Sequence, residues 1–330
     1  MKRNWLSYMC MAALLSGALT SCNESSFLNL SDPNHFTESN FWKDKADAES
    51  ALAAAYSPIK GAMYGYFSAF DGWLNLNGRG DDIFTIKGEE VPMWNIANFL
   101  NSPSTGNDPY GALYSGIQRA NIVLRYIDQI PASGITEEDR SMIKGEALFL
   151  RGYQYFLLVN NYKEVPLRLI PSNEDETNKG PASEAALWTQ VEEDLGNAIK
   201  CNLPVERTTA KERVTKGAAI AMLGKVYATQ HKYPEAKQLL VSLLSAPYSY
   251  ELVDDFAKNF TNEEEFNKES VYEIAYSPDG EYSWSNESGI CLGCYIPQFI
   301  GPVKSGGWAK LMPNSFIVGE FTKETRPNGA

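Results

Sequence analysis

Glu146-Ala147-Leu148-Phe149-Leu150-Arg151-Gly152-Tyr153-Gln154-Tyr155-Phe156, running on through Leu158, Asn161 and Tyr162 to Val165-Pro166-Leu167, lies near the middle of the chain. Upstream, Thr136-Glu137-Glu138-Asp139 has the form of a capping box, in which a hydroxyl and an acid three residues later satisfy the free amides of a first helical turn. The pattern predicts one long helix from there through about Asn160. Before it, Ile117, Ala120, Leu124 and Ile127 make an apolar stripe in a helix opening at Tyr110, which Pro131 and Gly134 end. A helical hairpin results. A third helix is expected over Glu184–Lys200, with Leu187, Val191, Leu195 and Ala198 on its apolar face and Pro204 beyond its end. Residues 205–215 then connect to a fourth.

The fourth segment carries a repeat signal. Ile220, Leu223-Gly224, Tyr227, Ala236, Leu240 and Pro247 fall at or near the spacing of a tetratricopeptide unit, with isoleucine where tryptophan is usual. The spacing has a steric reason: Gly224 and Ala236 let two antiparallel helices approach, while Leu223, Tyr227 and Leu240 fill the space between and beneath them. Such pairs need neighbours to cover their apolar faces, so residues 110–246 read as a small solenoid. Outside it, Phe41–Tyr56 is expected to be helical, with Phe41, Ala48, Leu52 and Ala55 on one face. Residues 61–110 and 277–307 are rich in Gly, Asn, Ser, Trp and Tyr and read as long aromatic loop regions, which in a compact domain tend to be functional. Between the solenoid and the second of them, Ser270–Tyr276 reads as a short strand or extended segment. The fold class is mostly α: a tetratricopeptide-like helical-hairpin scaffold with long aromatic loops.

The whole chain has 330 residues, is 44% hydrophobic and carries 29 basic against 41 acidic side chains. That is a globular composition, and a mean hydropathy of -0.32 excludes a multi-span helical membrane protein. A net charge of -12, with no compensating run of Lys and Arg, argues against a nucleic-acid partner. His35 and His231 are the chain's two histidines and lie far apart in sequence, which removes most zinc sites and most His-dependent nucleophilic catalysis. No enzyme is expected, and no cofactor or metal.

Residues 1–21 have the order of an export signal: Lys2 and Arg3, an apolar stretch from Trp5 to Leu19 too short to span a bilayer comfortably, then small residues. The segment ends Leu19-Thr20-Ser21-Cys22, which resembles the lipobox of bacterial lipoproteins. Cys22 is therefore the expected lipidation site and first mature residue. Two or three acyl chains, at about 0.8 kcal/mol per buried methylene, anchor a protein without a membrane-spanning helix. Cys10 leaves with the signal, so Cys201, Cys291 and Cys294 remain as thiols. The spacing of Cys291 and Cys294 suits a local disulfide or a pair of free thiols, and lacks the second pair a zinc site needs.

The central stretch resembles the signature helix and exit of the SusD/RagB family, usually close to EARFLRAYYYFxLVxxYGxVPL. Further matches follow in the same order: Phe36-Thr37-Glu38-Ser39-Asn40-Phe41-Trp42 with Ala51 to Tyr56, Ala120-Asn121, Glu193-Asp194-Leu195, Val214-Thr215-Lys216-Gly217, and Gly307-Trp308 with Leu311 and Pro313. With the lipobox they cover nearly the whole chain. Lys163 stands where the family often has glycine, and family members commonly continue well beyond the Gly307–Pro313 motif, so the chain is expected to be C-terminally short. The resemblance implies a SusD-like domain over residues 22–330, at the cell surface, lipid-anchored in the outer membrane. It implies capture of an oligosaccharide or polysaccharide, sometimes a peptide, for a TonB-dependent SusC-like transporter barrel.

Sugars present hydroxyls around a ring and weakly apolar C–H faces, so their sites combine aromatic platforms with a few Asn, Asp, Gln or Arg side chains. The loops hold both. Trp73, near Asn77 and Arg79, Trp94 beside Asn95, and Tyr282 with Trp284 are the candidate glycan platform. Trp42 and Trp188 sit on helical faces and are expected in the core, and Trp308 is expected to be structural. Asp81-Asp82 and Glu89-Glu90 do not copy an EF-hand spacing and read as solvated charges, as does Glu263-Glu264-Glu265. A surface glycoside hydrolase is the alternative furthest from this reading, and no positive sign of its carboxylate pair is visible in the sequence.

Overall fold

A computed structural model describes residues 41–60, 67, 72, 77–85, 91–100, 109–175, 177–277 and 293–323. The chain divides into two compact units, Met1–Lys43 and Asp44–Ala330. In the first, the rings of Phe41 and Trp42 meet edge to face at 5.2 Å. The second is mostly helical. Its elements run α1 (Lys45–Lys60), β1 (Ile83–Thr85), α2 (Val91–Ala97), α3 (Tyr110–Tyr126), α4 (Glu137–Tyr162), α5 (Glu184–Lys200), α6 (Lys216–Thr229), α7 (Tyr233–Ser242), α8 (Ile296–Ile300), β2 (Leu311–Pro313) and α9 (Ser315–Lys323).

Short polar side chains set where the helices begin. The Oγ1 of Thr136 accepts from the Asp139 amide at 3.1 Å, Ser183 Oγ from Ala186 at 3.3 Å, and Thr215 Oγ1 from Ala218 at 3.1 Å. Each such cap contributes about 1 kcal/mol. The helix expected from Phe41 opens instead at Lys45, because Asp44 Oδ1 accepts from the amides of Ala46 at 2.8 Å and Asp47 at 3.2 Å. It also runs on to Lys60, and Ile59 joins Ala48, Leu52 and Ala55 on the buried face.

The helices pack in chain order as antiparallel neighbours, α3 on α1 and α4, α5 on α4 and α6, and α6 on α7. The apolar face expected of α5 is buried in full: Leu187, Val191, Leu195 and Ala198. On α3, Ile117 and Ala120 are buried, and Val123 takes the inward place expected of Leu124. Gly145 and Gly152, two turns apart on one face of α4, admit the next helix closely. A Cβ on Gly145 would lie 2.8 Å from the Cys201 Cβ, and one on Gly152 3.1 Å from the Asp194 Cβ. The repeat signal is met in the same way, since a Cβ on Gly224 would lie 2.7 Å from the Leu240 side chain and Ala236 is buried.

The two aromatic loop regions contain short elements that sequence periodicity did not show. Strand β1 pairs antiparallel with β2, Ile83 opposite Pro313, Phe84 opposite Met312 and Thr85 opposite Leu311. A small apolar cluster of Met93, Tyr295, Phe299 and Leu311 lies against this ladder, with Ile83, Ile296 and Trp308 packed on it. Trp308 is structural, as expected: its ring meets Phe299 edge to face at 6.2 Å and its amide donates to the Gln298 carbonyl at 2.7 Å. Gly307 is required beside it, because a Cβ there would overlap the Gly301 carbonyl. Gly307→Ala is expected to cost about 1–3 kcal/mol, since backbone rather than a side-chain tip must move, and thermal unfolding followed by near-UV circular dichroism checks it. Residues 270–276 are extended, without a ladder partner among the described residues.

Candidate functional site

The signature helix α4 carries an aromatic ledge. Phe149 and Tyr153, one turn apart, stack at 5.9 Å, and Tyr272 meets them edge to face at 5.3 and 6.5 Å. Phe67 stacks on Tyr153 at 6.4 Å. Tyr276 closes the ledge: its hydroxyl donates to the Lys60 carbonyl at 2.9 Å and to the Phe67 carbonyl, while Lys60 Nζ sits 5.3 Å from its ring centre. Burial pushes the phenols of Tyr272 and Tyr276 above their ordinary range, so both stay neutral. Residues 60 and 67 lie beside residue 276, and β1, inside the first loop region, pairs with β2, just beyond the second.

Of the platform candidates, Trp94 and Asn95 lie on α2. Met93 and Ile96 point into the core and Trp94 and Asn95 are half-buried beside them, as a rotation of about 100° per residue requires. The helix end is closed locally, with Asn98 Nδ2 donating to the Trp94 carbonyl at 2.8 Å and the Leu100 amide to the Asn95 carbonyl at 2.7 Å. Asn77, Arg79 and the Asp81-Asp82 pair are on the neighbouring segment, and all four are exposed. The Asp81 and Asp82 carbonyls accept from Asn314, the second from its amide at 2.9 Å. Trp73, Tyr282, Trp284, Cys22, Cys291 and Glu89-Glu90 lie outside the described residues. Trp188 is half-buried, set edge to face on Phe156 at 6.1 Å, with its indole N–H on Glu184 at 3.1 Å. Glu263 and Glu265 are exposed, and Glu264 pairs with Lys258 at 3.1 Å. No group of three or more metal-ligating side chains occurs among the described residues, and none of their helices is long and apolar enough to cross a membrane.

What sequence reading missed is the pair of buried ionic clasps that position this ledge. Arg151 of α4 makes a two-pronged bond to Asp194 of α5, Nε to Oδ2 at 2.8 Å and Nη2 to Oδ1 at 2.6 Å. Its Nη1 donates to Asn121 Oδ1 of α3 at 2.9 Å, and Asn121 Nδ2 reaches the carbonyls of Arg168 at 3.0 Å and Ile170 at 3.2 Å. Three helices and the Val165-Pro166-Leu167 exit are thereby tied to one guanidinium. The second clasp is Glu146, fully buried, which accepts from Tyr56 Oη at 2.6 Å, Arg207 at 2.7 Å and Arg213 at 2.8 Å. It fixes the 205–215 connector and α1 against the start of the ledge. The signal was present in the sequence, since Arg151, Asp194, Asn121 and Glu146 all lie within the matched motifs, but periodicity does not say which acid meets which arginine.

A family model described as SusD-like, "Starch-binding associating with outer membrane", matches residues 80–228. Among curated proteins, the SusD-like protein P38 of Formosa agariphila is 26% identical over 234 residues, covering 70% of this chain and 43% of its own length. Among solved structures, a SusD superfamily protein of Bacteroides vulgatus is 28% identical with a TM-score of 0.73, covering 88% of this chain and 60% of that one. A laminarin-binding SusD-like protein is 26% identical with a TM-score of 0.76, covering 86% of this chain and 65% of that one. The chain thus spans less than half of the curated relative and under two thirds of either solved chain. Together with the order of the helices, these likenesses support a SusD-like family member.

Proposed function

We propose that this protein is a lipoprotein of the outer membrane, anchored through Cys22 and exposed at the cell surface, that captures an oligosaccharide or polysaccharide and delivers it to a TonB-dependent SusC-like transporter. It catalyses no reaction. The observation that carries the reading is the likeness, at 26% identity and a TM-score of 0.76, to a SusD-like protein whose name states that it binds laminarin. The contacts between residues that flank the two loop regions support it, Tyr276 meeting Lys60 and Phe67, and β1 pairing with β2. In this reading the aromatic faces take the C–H faces of successive sugar rings, and Asn95 and its polar neighbours bond the hydroxyls.

Native gels cast with soluble laminarin, starch and other plant and host polysaccharides test the reading. Retardation by at least one of them is expected, and Trp73→Ala, Trp94→Ala or Trp284→Ala is expected to weaken it by about tenfold, roughly 1.4 kcal/mol per platform ring. Unretarded migration in every gel by a folded, helical protein would refute glycan capture. Cys22→Ser is expected to move the protein out of the membrane fraction, and its retention there would refute the lipid anchor.

A further inference from the structure

We infer that a cleft between the 205–215 connector, the segment after α7 and residues 266–273 is a second carbohydrate subsite, separate from the loop platform and suited to a short neutral stretch of the same polysaccharide. The inference rests on the glycan-capture reading. The cleft holds about 330 Å³ and adjoins another of about 380 Å³ that shares Asn267, Ser270 and Tyr272 with it, a joint size in the range of small-ligand sites. Its wall is aromatic by the geometry of the chain. In the run Tyr248-Ser249-Tyr250, which follows the turn at Pro247, both tyrosines line the cleft. Their rings are nearly parallel, 10° apart in plane, with centres 6.1 Å apart. Tyr250 is held from behind by a missing side chain, since a Cβ on Gly217 at the start of α6 would overlap its hydroxyl. The opposite wall is fixed by the Glu251 amide, which donates to the Lys268 carbonyl at 3.0 Å.

The polar groups in the cleft divide into occupied and unoccupied ones. Arg207 is engaged by Glu146 at 2.7 Å, Lys268 by Glu251 at 3.3 Å, and Glu273 accepts from the Phe266 amide at 3.0 Å. Among the described residues, the hydroxyls of Tyr248, Ser249 and Tyr250 and the Lys211 ammonium have no protein hydrogen-bond partner. The cleft therefore offers two ring faces, the hydroxyls of Tyr248 and Ser249, and one ammonium offset by the Glu206 carboxylate on the same rim. That balance disfavours an anion, which would need surplus cations, and matches a neutral sugar whose hydroxyls both donate and accept. Tyr272 lines the cleft while its ring packs on Phe149 and Tyr153 of the ledge.

The test uses the full chain, purified in detergent, with laminarin and starch as probes. Tyr248→Ala is expected to weaken binding by about three- to tenfold with an unchanged melting temperature, and Tyr248→Phe to weaken it less. Acetylation of Lys211, read by mass spectrometry, is expected to slow at least threefold when the glycan is present, a change a merely structural Tyr248 would not produce. Binding with both Tyr248→Ala affinity and Lys211 reactivity unchanged would overturn the second subsite and leave the loop platform standing. No binding of either glycan by the unaltered protein would overturn both.

Discussion

Asp194→Ala is expected to lower folding stability by about 3–5 kcal/mol, because it strands the Arg151 guanidinium in the core without its counter-charge. The side chains of Arg151 and Asp194 are 9% and 2% exposed, so water does not replace the lost bonds. Both carboxylate oxygens are in use, and Oδ1 also accepts from Gln190 Nε2 at 2.9 Å. For a chain of this size the melting temperature is expected to fall on the order of 10 °C. The paired change Arg151→Met with Asp194→Leu removes both charges and is expected to recover most of the loss, since apolar replacement of a whole buried ion pair is often neutral. A loss below about 1 kcal/mol for the single change would mean that the clasp is not what joins α4 to α5. Urea unfolding followed at 222 nm measures all three variants.

Glu146→Ala is expected to have an effect of similar size, about 3–5 kcal/mol, by a different route. Glu146 is 0% exposed and faces two arginines, one of which, Arg213, is shared with Glu49 at 2.7 Å. Removing the carboxylate leaves one counter-ion for two guanidiniums and frees Tyr56, whose hydroxyl bridges Glu146 at 2.6 Å and the Val214 amide at 3.0 Å. Burial first, and the Glu146 charge second, hold the Tyr56 phenol well above its ordinary range. Glu146→Gln keeps the shape and the hydrogen-bond reach, so it is expected to cost less than the alanine change and to let Tyr56 ionise at lower pH. Hydrogen exchange localises the effect, with faster exchange expected for residues 205–215 and α1 and little change in the β1–β2 module. Uniform acceleration across the chain would show instead that Glu146 acts on global stability alone.

The fold was legible where a single helix could be read from its own residues. Thr136 opens a capping box and Glu184–Lys200 carries an apolar stripe with a 3.6-residue period, and these helices begin where Thr136 and Ser183 cap them. The Gly224–Leu240 contact was legible too, because the repeat pattern encodes a contact between two specific positions. The β1–β2 ladder was not. Each strand has three residues, below the length at which alternation can be counted, and their stability comes from each other and from Met93, Phe299 and Leu311 across more than two hundred residues of sequence. The clasps escaped for a related reason. Arg151, Asp194 and Glu146 look like any charged residues on amphipathic helices, and only the approach permitted by Gly145 and Gly152 turns them inward. The candidate platform was read from composition, which names aromatic and amide residues but not their geometry. The structure adds the contacts of Tyr276 with Lys60 and Phe67 and the aromatic cleft at Tyr248 and Tyr250.

The central claim is capture of a glycan without its conversion. The most direct test is calorimetric titration of laminarin, and separately of starch, into the folded protein, followed by chromatography of the recovered polysaccharide. The account predicts saturable binding of at least one polysaccharide, weakened by Trp94→Ala, with the chain-length distribution unchanged. Heats of dilution alone with every polysaccharide tried, or recovery of shortened chains, would contradict it.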